Sequence, residues 1–402
     1  MSNSNDADIS PGMVRLLAAA SGLIVANLYY AQTLVGPISA ATGLSAQAAG
    51  LIVTLTQAGY CLGLLFIVPL GDLVENRRLI MIALSFTALA LAVAATARNP
   101  VLFLAASLAI GLGSVAAQIL VPFAAHLSKE ATRGHTVGKV VSGLLIGILL
   151  ARPAASLVAD YAGWHVVFGG AAVIITLLIL LLRSRLPQRV PVAPTPYPQL
   201  LASMWHLLLA TPVLRRRAAY HAGLFGSFSL FWTTVPLELA SPAFHLSQGG
   251  IAVFALVGMA GAVASPVAGR LADAGYTRPA TGIALALGVL GFVLPMIAAG
   301  SRNAALALLV LASIILDMGV AANLVLGQRA IFALGAHVRS RLNGLYFAIF
   351  FAGGAVGSAL GGWMYASYGW QAAMLAGMAL PGVALLYWGT EYAQGEAAGM
   401  PQ

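Results

Sequence analysis

The sequence predicts an all-α polytopic membrane protein, with twelve transmembrane helices forming two pseudo-symmetric six-helix bundles. Three observations predict it. Of the 402 residues, 60% are hydrophobic and only 8% charged, against about 25% charged in soluble domains. Apolar runs of about 20 residues, the length that crosses a bilayer, recur from end to end between short polar stretches such as GDLVENRR, ARNP and SKEATRGHTVGK. Short motifs of the first half also reappear in the same order in the second.

Taken in order, the runs cover 14–38, 49–70, 79–97, 101–125, 138–159 and 164–182, then 218–240, 249–270, 280–299, 304–327, 342–364 and 370–389. No period-two alternation is visible, so they read as helices and not as barrel strands. The first run lacks a preceding basic segment and is too long for a signal core, so it reads as a retained span behind a polar leader, MSNSNDADISPG. The single cysteine, Cys61, lies in the second run and leaves no internal disulfide to form.

The net charge of +9 raises nucleic acid as a partner, but the placement of the charges excludes it. With twelve spans, all but three of the 20 Lys and Arg fall at one face. Arg98 and Arg302 fall at the other, and Arg152 lies inside a span. That is the positive-inside bias of a polytopic protein and predicts both termini in the cytoplasm.

Between the sixth and seventh runs lies RSRLPQRVPVAPTPYPQLLASMWHLLLATPVLRRR, whose five prolines, Pro187, Pro191, Pro194, Pro196 and Pro198, predict an extended linker. It divides the chain into a bundle at 1–182, a cytoplasmic linker at 183–217 and a second bundle at 218–402. Internal echoes support the division. NLYYAQ (27–32) pairs with SLFWTT (229–234), and LGD ending at Asp72 pairs with LAD ending at Asp273. RNP at Arg98 pairs with RNA at Arg302, VAAQ (115–118) with VAAN (320–323), Arg133 and Gly138 with Arg339 and Gly344, and Gly-Trp at Trp164 with Gly-Trp at Trp370. A parallel six-helix repeat with a pathway between its halves is a transporter architecture.

On these residues the chain resembles the major facilitator superfamily over essentially its whole length, most of all its twelve-span drug and small-solute efflux branch. The family's loop after the second span reads approximately G-x-L-x-D-R-x-G-R-R. VPLGDLVENRR keeps Leu70, Asp72 and Arg77, with Val68, Leu73 and Glu75 in place of Gly, Arg and Gly. The second copy, GRLADAGYTR, keeps Gly269, Leu271, Asp273 and Arg278. The resemblance implies a secondary transporter for a small-molecule substrate, with protons as coupling partner, in a bacterial inner membrane and functional as a monomer. It implies no cofactor.

Arg152 is the first candidate site residue, because a guanidinium facing lipid costs at least about 2.5–3.5 kcal/mol near the bilayer centre. At 100° per residue, Gly143, Gly147 and Ala154 lie on the opposite face of its helix, a small-residue surface suited to close packing. That leaves Arg152 facing an internal cavity, or snorkelling toward the headgroups near Asp160. The adjacent Pro153 removes a backbone donor and predicts a kink. The efflux branch carries G-x-x-x-G-P-x-x-G-G in this span. Here Arg152-Pro153 replaces Gly-Pro, and GAVGSALGG in the eleventh span bears the closer likeness.

Asp317 lies midway along the tenth run, where a carboxylate suits proton coupling or cation binding, or forms a structural pair. Arg152 and Asp317 are candidates to meet, although their estimated depths differ by about 8 Å. Glu238 reads as a solvated helix end. In the fourth run Ser107, Gly111, Ser114 and Gln118 share one face, which suits either tight packing or a wet cavity. Ser107 stands where the family usually carries an arginine.

In the first run Asn27 and Tyr30 share one face, and Tyr29 and Gln32 nearly the opposite one. Because spans one, four, seven and ten line the pathway in the family, the resemblance implies Asn27, Tyr30, Gln118, Ser229, Trp232, Asp317 and Asn323 as lining residues, which Arg152 joins from the fifth span, with Asp317 coupling protons. The tyrosines also suit an interfacial belt. The resemblance further implies a gating role for Asp72 with Arg77 and Arg78, and for Asp273 with Arg278, whose arginines topology alone would also account for.

Neither a G-x-x-x-x-G-K-[ST] loop nor an H-E-x-x-H motif occurs, and the histidines are scattered, so the sequence supplies no motif for ATP binding or for metal. An intramembrane enzyme built on Asp317 or His221 is the reading from another class. Uptake or facilitated diffusion is the alternative to export.

Overall fold

The computed structural model describes residues 9–130, 132–191, 196–298, 300–335 and 338–397, with side chains through Glu391. All regular structure among the described residues is helical. Among the described residues, nine helices are long and apolar enough to cross a membrane. The difference from twelve has a physical cause at each place. The first span is broken into Pro11–Ala26, a 3-10 turn Tyr30–Thr33 and Val35–Thr42. The seventh, Pro212–Ala240, is diluted by Arg215, Arg216 and Arg217 at its start and by Ser227, Ser229, Thr233 and Thr234 further on. The eleventh and twelfth form one stretch, Arg339–Ala397, interrupted at Gly369.

The other spans are Ala46–Asp72, Asn76–Thr96, Pro100–His126, Arg133–Ala162, Trp164–Arg185, Gln248–Asp273, Thr277–Met296 and Arg302–Phe332. Several outrun the apolar stretches read from the sequence. Hydropathy marks the stretch soluble in hydrocarbon, whereas the hydrogen-bonded helix continues into the polar interface. The fifth helix passes through Pro153 unbroken.

Two features repeat between the halves. Gly163 and Gly369, which open the sixth and twelfth spans just before Trp164 and Trp370, both have positive φ, 84° and 80°, a conformation that costs a side-chain-bearing residue about 1 kcal/mol or more. Packing repeats as well. Gly143 and Gly147 of the fifth span seat against the backbone of Ala18 and Gly22 in the first, and Gly353 and Gly357 of the eleventh seat against Ala222 and Gly226 in the seventh. These are glycine-mediated close approaches. Ala154, expected on the same small-residue face, is exposed instead.

The linker departs from the extended form its prolines suggested. Tyr197–Ala210 is a helix with Pro198 in its first turn, where the missing N–H satisfies no helical bond in any case. Leu200 and Met204 are buried while Trp205 and Leu209 are exposed. Pro194 lies outside the described residues.

At the arginine-poor end the two halves meet closely. Gly50 of the second span packs against Ser358 and Gly362 of the eleventh, Thr54 and Ser358 share a hydrogen bond of 2.9 Å, and Ser156 donates to Gln248 at 3.0 Å. Deeper in the seam, Tyr60 of the second span packs on Phe351 of the eleventh at 4.6 Å between ring centroids.

Candidate functional site

Arg152 is only 3% exposed and Asp317 only 7%, and their side chains meet between the halves, Nη2 to Oδ2, at 3.9 Å. The depth difference estimated from the sequence is closed by side-chain direction. A helical side chain leans toward its own N-terminus. The fifth and tenth helices run in opposite senses, so each of these two residues leans toward the other. Snorkelling toward Asp160 requires the reverse lean, and lipid is excluded by burial.

Trp232 completes the arrangement. The Arg152 guanidinium lies over its ring, 4.1 Å from the centroid, and also 4.9 Å from Phe228. The indole N–H donates to Asp317 Oδ1 at 3.3 Å. A desolvated cation–π contact is worth on the order of 2 kcal/mol. Room for both partners comes from the eighth span. A Cβ on Gly258 would lie 3.2 Å from the Trp232 ring, and one on Gly261 2.6 Å from the Asp317 Cβ. Arg152 Nη1 and both amide atoms of Gln32 have no hydrogen-bond partner among the described residues although buried, which is costly in a closed protein interior and favours a site that receives a polar guest.

The first span presents a different face from the one expected. Its helix ends at Asn27, whose side chain turns back to donate to the Ile24 and Leu23 carbonyls at 3.0 and 3.4 Å. The 3-10 turn that follows shifts the phase. Tyr29 lies buried and within electrostatic reach of Arg152, while Tyr30 is half-buried. Thr33 Oγ1 donates to the Arg152 carbonyl at 3.4 Å. The small residues of the fourth span serve packing, since Gly111 seats against Thr56 and Tyr60 of the second. Half-buried Gln118 lies beside the Tyr60 hydroxyl.

Ser229 and Asn323 are placed elsewhere in the seam. Ser229 pairs with Gln57 of the second span, Nε2 to Oγ at 2.9 Å. Asn323 pairs with buried His221 at 3.0 Å, whose ring lies 4.7 Å from that of Phe350, edge to face. Sequence reasoning passed over Gln57, Gln248 and Phe228 and left Tyr29 and Gln32 on the face opposite the chosen one. For Gln57 and Gln32 a usable signal exists: an amide within an apolar run, like a charge there, needs an internal partner.

The loop acids meet basic groups, but not the ones expected. Asp72 faces Arg189 of the linker and not Arg77 or Arg78, and burial pulls the Arg189 guanidinium below its usual range while Asp72 opposes that shift. Arg77 donates to the Leu186 carbonyl at 3.1 Å, and Arg78 is exposed. The residue replacing the family's glycine explains the change. Glu75 caps the third span, accepting from the Arg77 and Arg78 amides at 2.8 and 2.7 Å. Asp273 pairs with Arg329, while Arg278 lies 3.7 Å from Glu391.

The sequence profile of the Major Facilitator Superfamily matches residues 17–307 and 221–399. The chain belongs to this superfamily. It is 38% identical to the uncharacterized transporter YgaY of Escherichia coli O157:H7, over 97% of this chain and 98% of that one. It is 31% identical to a Streptomyces coelicolor protein named "Probable transporter SCO4007", over 88% and 82%. Among solved structures it shares the fold of a bacterial homologue of the human lysosomal transporter Spinster in an inward-facing, occupied conformation, with a TM-score of 0.74, 14% identity and coverage of 94% and 95%. The twelve-helix, two-bundle architecture is that of the superfamily, and both sequence relatives are named as transporters.

Proposed function

We propose that this superfamily member is a secondary active transporter that exports a small organic solute in exchange for protons, with its arginine-rich face in the cytoplasm of a bacterial cell. The carrying observation is the Arg152–Trp232–Asp317 arrangement, which joins the first half to the second through one buried ion pair. While the halves are closed, Arg152 compensates the Asp317 carboxylate. When they separate, the carboxylate loses that compensation, and a proton can take the place of the guanidinium. A solute that donates a hydrogen bond to the ionised Asp317 beside Trp232 competes with the proton for that carboxylate, so proton and solute alternate. Export follows the resemblance to the small-solute efflux branch, whose fifth-span Gly-Pro step is replaced here by Arg152-Pro153, and the positive-inside bias supports the orientation.

The test uses purified protein in sealed vesicles with a pH-sensitive dye inside. Compounds from a small-solute panel are added outside under an imposed pH gradient. Solute-dependent proton movement is expected in the wild type. In Asp317→Asn, solute exchange is expected to persist without proton movement. The same gradient dependence in Asp317→Asn would reject Asp317 as the coupling group.

A further inference from the structure

A second pocket lies at the arginine-rich end of the seam, remote from Arg152. It is lined by the second and fourth spans of the first half, by the start of the eleventh span in the second half, and by the linker helix. Its apolar wall includes Leu64, Ile119 and Phe123, with Met204 of the linker opposite. Three charged side chains line it: Asp72, Arg189 and Arg341. Their balance is one positive charge in excess.

The two guanidiniums are held on opposite sides. Arg189 is anchored to the first half, its backbone N–H donating to Glu75 at 3.2 Å and its Nη1 to Asn76 Oδ1 at 2.8 Å, while the Asn76 backbone N–H donates to the Arg189 carbonyl at 3.0 Å. Asp72 lies within electrostatic reach of this guanidinium and of His126. Arg341 belongs to the second half and donates Nη1 to the neutral Ser203 Oγ of the linker at 3.0 Å. Arg189 is therefore offset by a carboxylate, whereas the Arg341 side chain brings a charge to the apolar wall with a neutral partner. A planar guanidinium fork beside an apolar surface is suited to a carboxylate carried on an apolar body.

We propose that this pocket is a loading site for a small amphipathic organic anion, such as an arylcarboxylate, held by Arg341 with Arg189 and seated between the two halves. The inference deepens the transport reading and rests on it for its meaning. Binding is measured without flux, so its failure leaves that reading standing.

The test uses full-length protein in phosphatidylcholine nanodiscs, titrated with benzoate and with its neutral isostere benzamide, with binding followed by calorimetry. Benzoate is expected to bind at least tenfold more tightly than benzamide. Arg341→Gln is expected to remove that preference, and Arg341→Lys, which keeps the charge without the fork, to restore part of it. Arg189→Gln tests the other side and is expected to weaken benzoate several-fold. Equal binding of benzoate and benzamide overturns the proposal. So does benzoate binding that survives Arg341→Gln but is lost in Arg152→Gln, which places the anion in the central site. Benzoate binding in phosphatidylcholine that is lost in discs containing phosphatidylglycerol assigns the pocket to a lipid headgroup and also overturns it.

Discussion

Arg152 of the fifth span and Asp317 of the tenth face each other at 3.9 Å across the boundary between the two halves, with Trp232 touching both. A buried ion pair is expensive to assemble and more expensive to halve, because removing one partner strands the other charge. Arg152→Met is therefore expected to destabilise the protein by about 3–5 kcal/mol, and Arg152→Met with Asp317→Leu by much less. Thermal unfolding of the single and double variants in one detergent checks this. A double variant no more stable than the single one would mean that the pair is not coupled.

Closure of the arginine-poor end depends on Gly50 and Gly362, where a Cβ on Gly362 would lie 2.6 Å from the Gly50 backbone nitrogen. Gly362→Leu overpacks that contact at a cost of about 1–3 kcal/mol, enough to shift an opening equilibrium roughly five- to 150-fold. With Cys61→Ser as background, Gln57→Cys becomes a reporter inside the seam. Its reaction with a membrane-impermeant maleimide is expected to accelerate by about tenfold or more when Gly362→Leu is added. Unchanged labelling would show that this contact does not close the seam.

Glu75 joins the third span to the linker, accepting from the Arg77, Arg78 and Arg189 amides. Loss of a helix cap costs about 1 kcal/mol. Glu75→Ala is accordingly expected to free the linker and speed tryptic cleavage after Arg185 and Arg189 severalfold, with little change in global unfolding. A cleavage pattern equal to wild type would remove Glu75 from the anchoring of the linker.

Architecture was legible in the sequence because hydrocarbon enforces it: a chain this apolar crosses the bilayer as helices, and the echoed Gly-Trp and Asp motifs mark the duplication. Arg152 and Asp317 were legible for the same reason, since ionisable groups in apolar runs must face inward, and Trp232 was legible through the repeat that sets it where Tyr30 stands in the first half. Tyr29 was not. Its orientation depends on where the first helix breaks, and that break is stabilised by a local Asn27 side-chain bond that helical periodicity does not register. The partners of Asp72 and Asp273 were hidden too, because Arg189 and Arg329 come from elements remote in sequence. The linker helix was masked by prolines that happen to fall before it and in its first turn.

The central claim is that the Arg152–Asp317 contact holds the arginine-poor face closed and breaks when that face opens. Spin labels at Gln47→Cys and Tyr368→Cys, two exposed positions just beyond the Gly50–Gly362 contact, measure that face directly in a Cys61→Ser background. The account predicts a short distance in equilibrium with a longer one, with the weight moving to the longer distance in Arg152→Met. A single short distance, unmoved by Arg152→Met and by a change from neutral to acidic buffer, would contradict it.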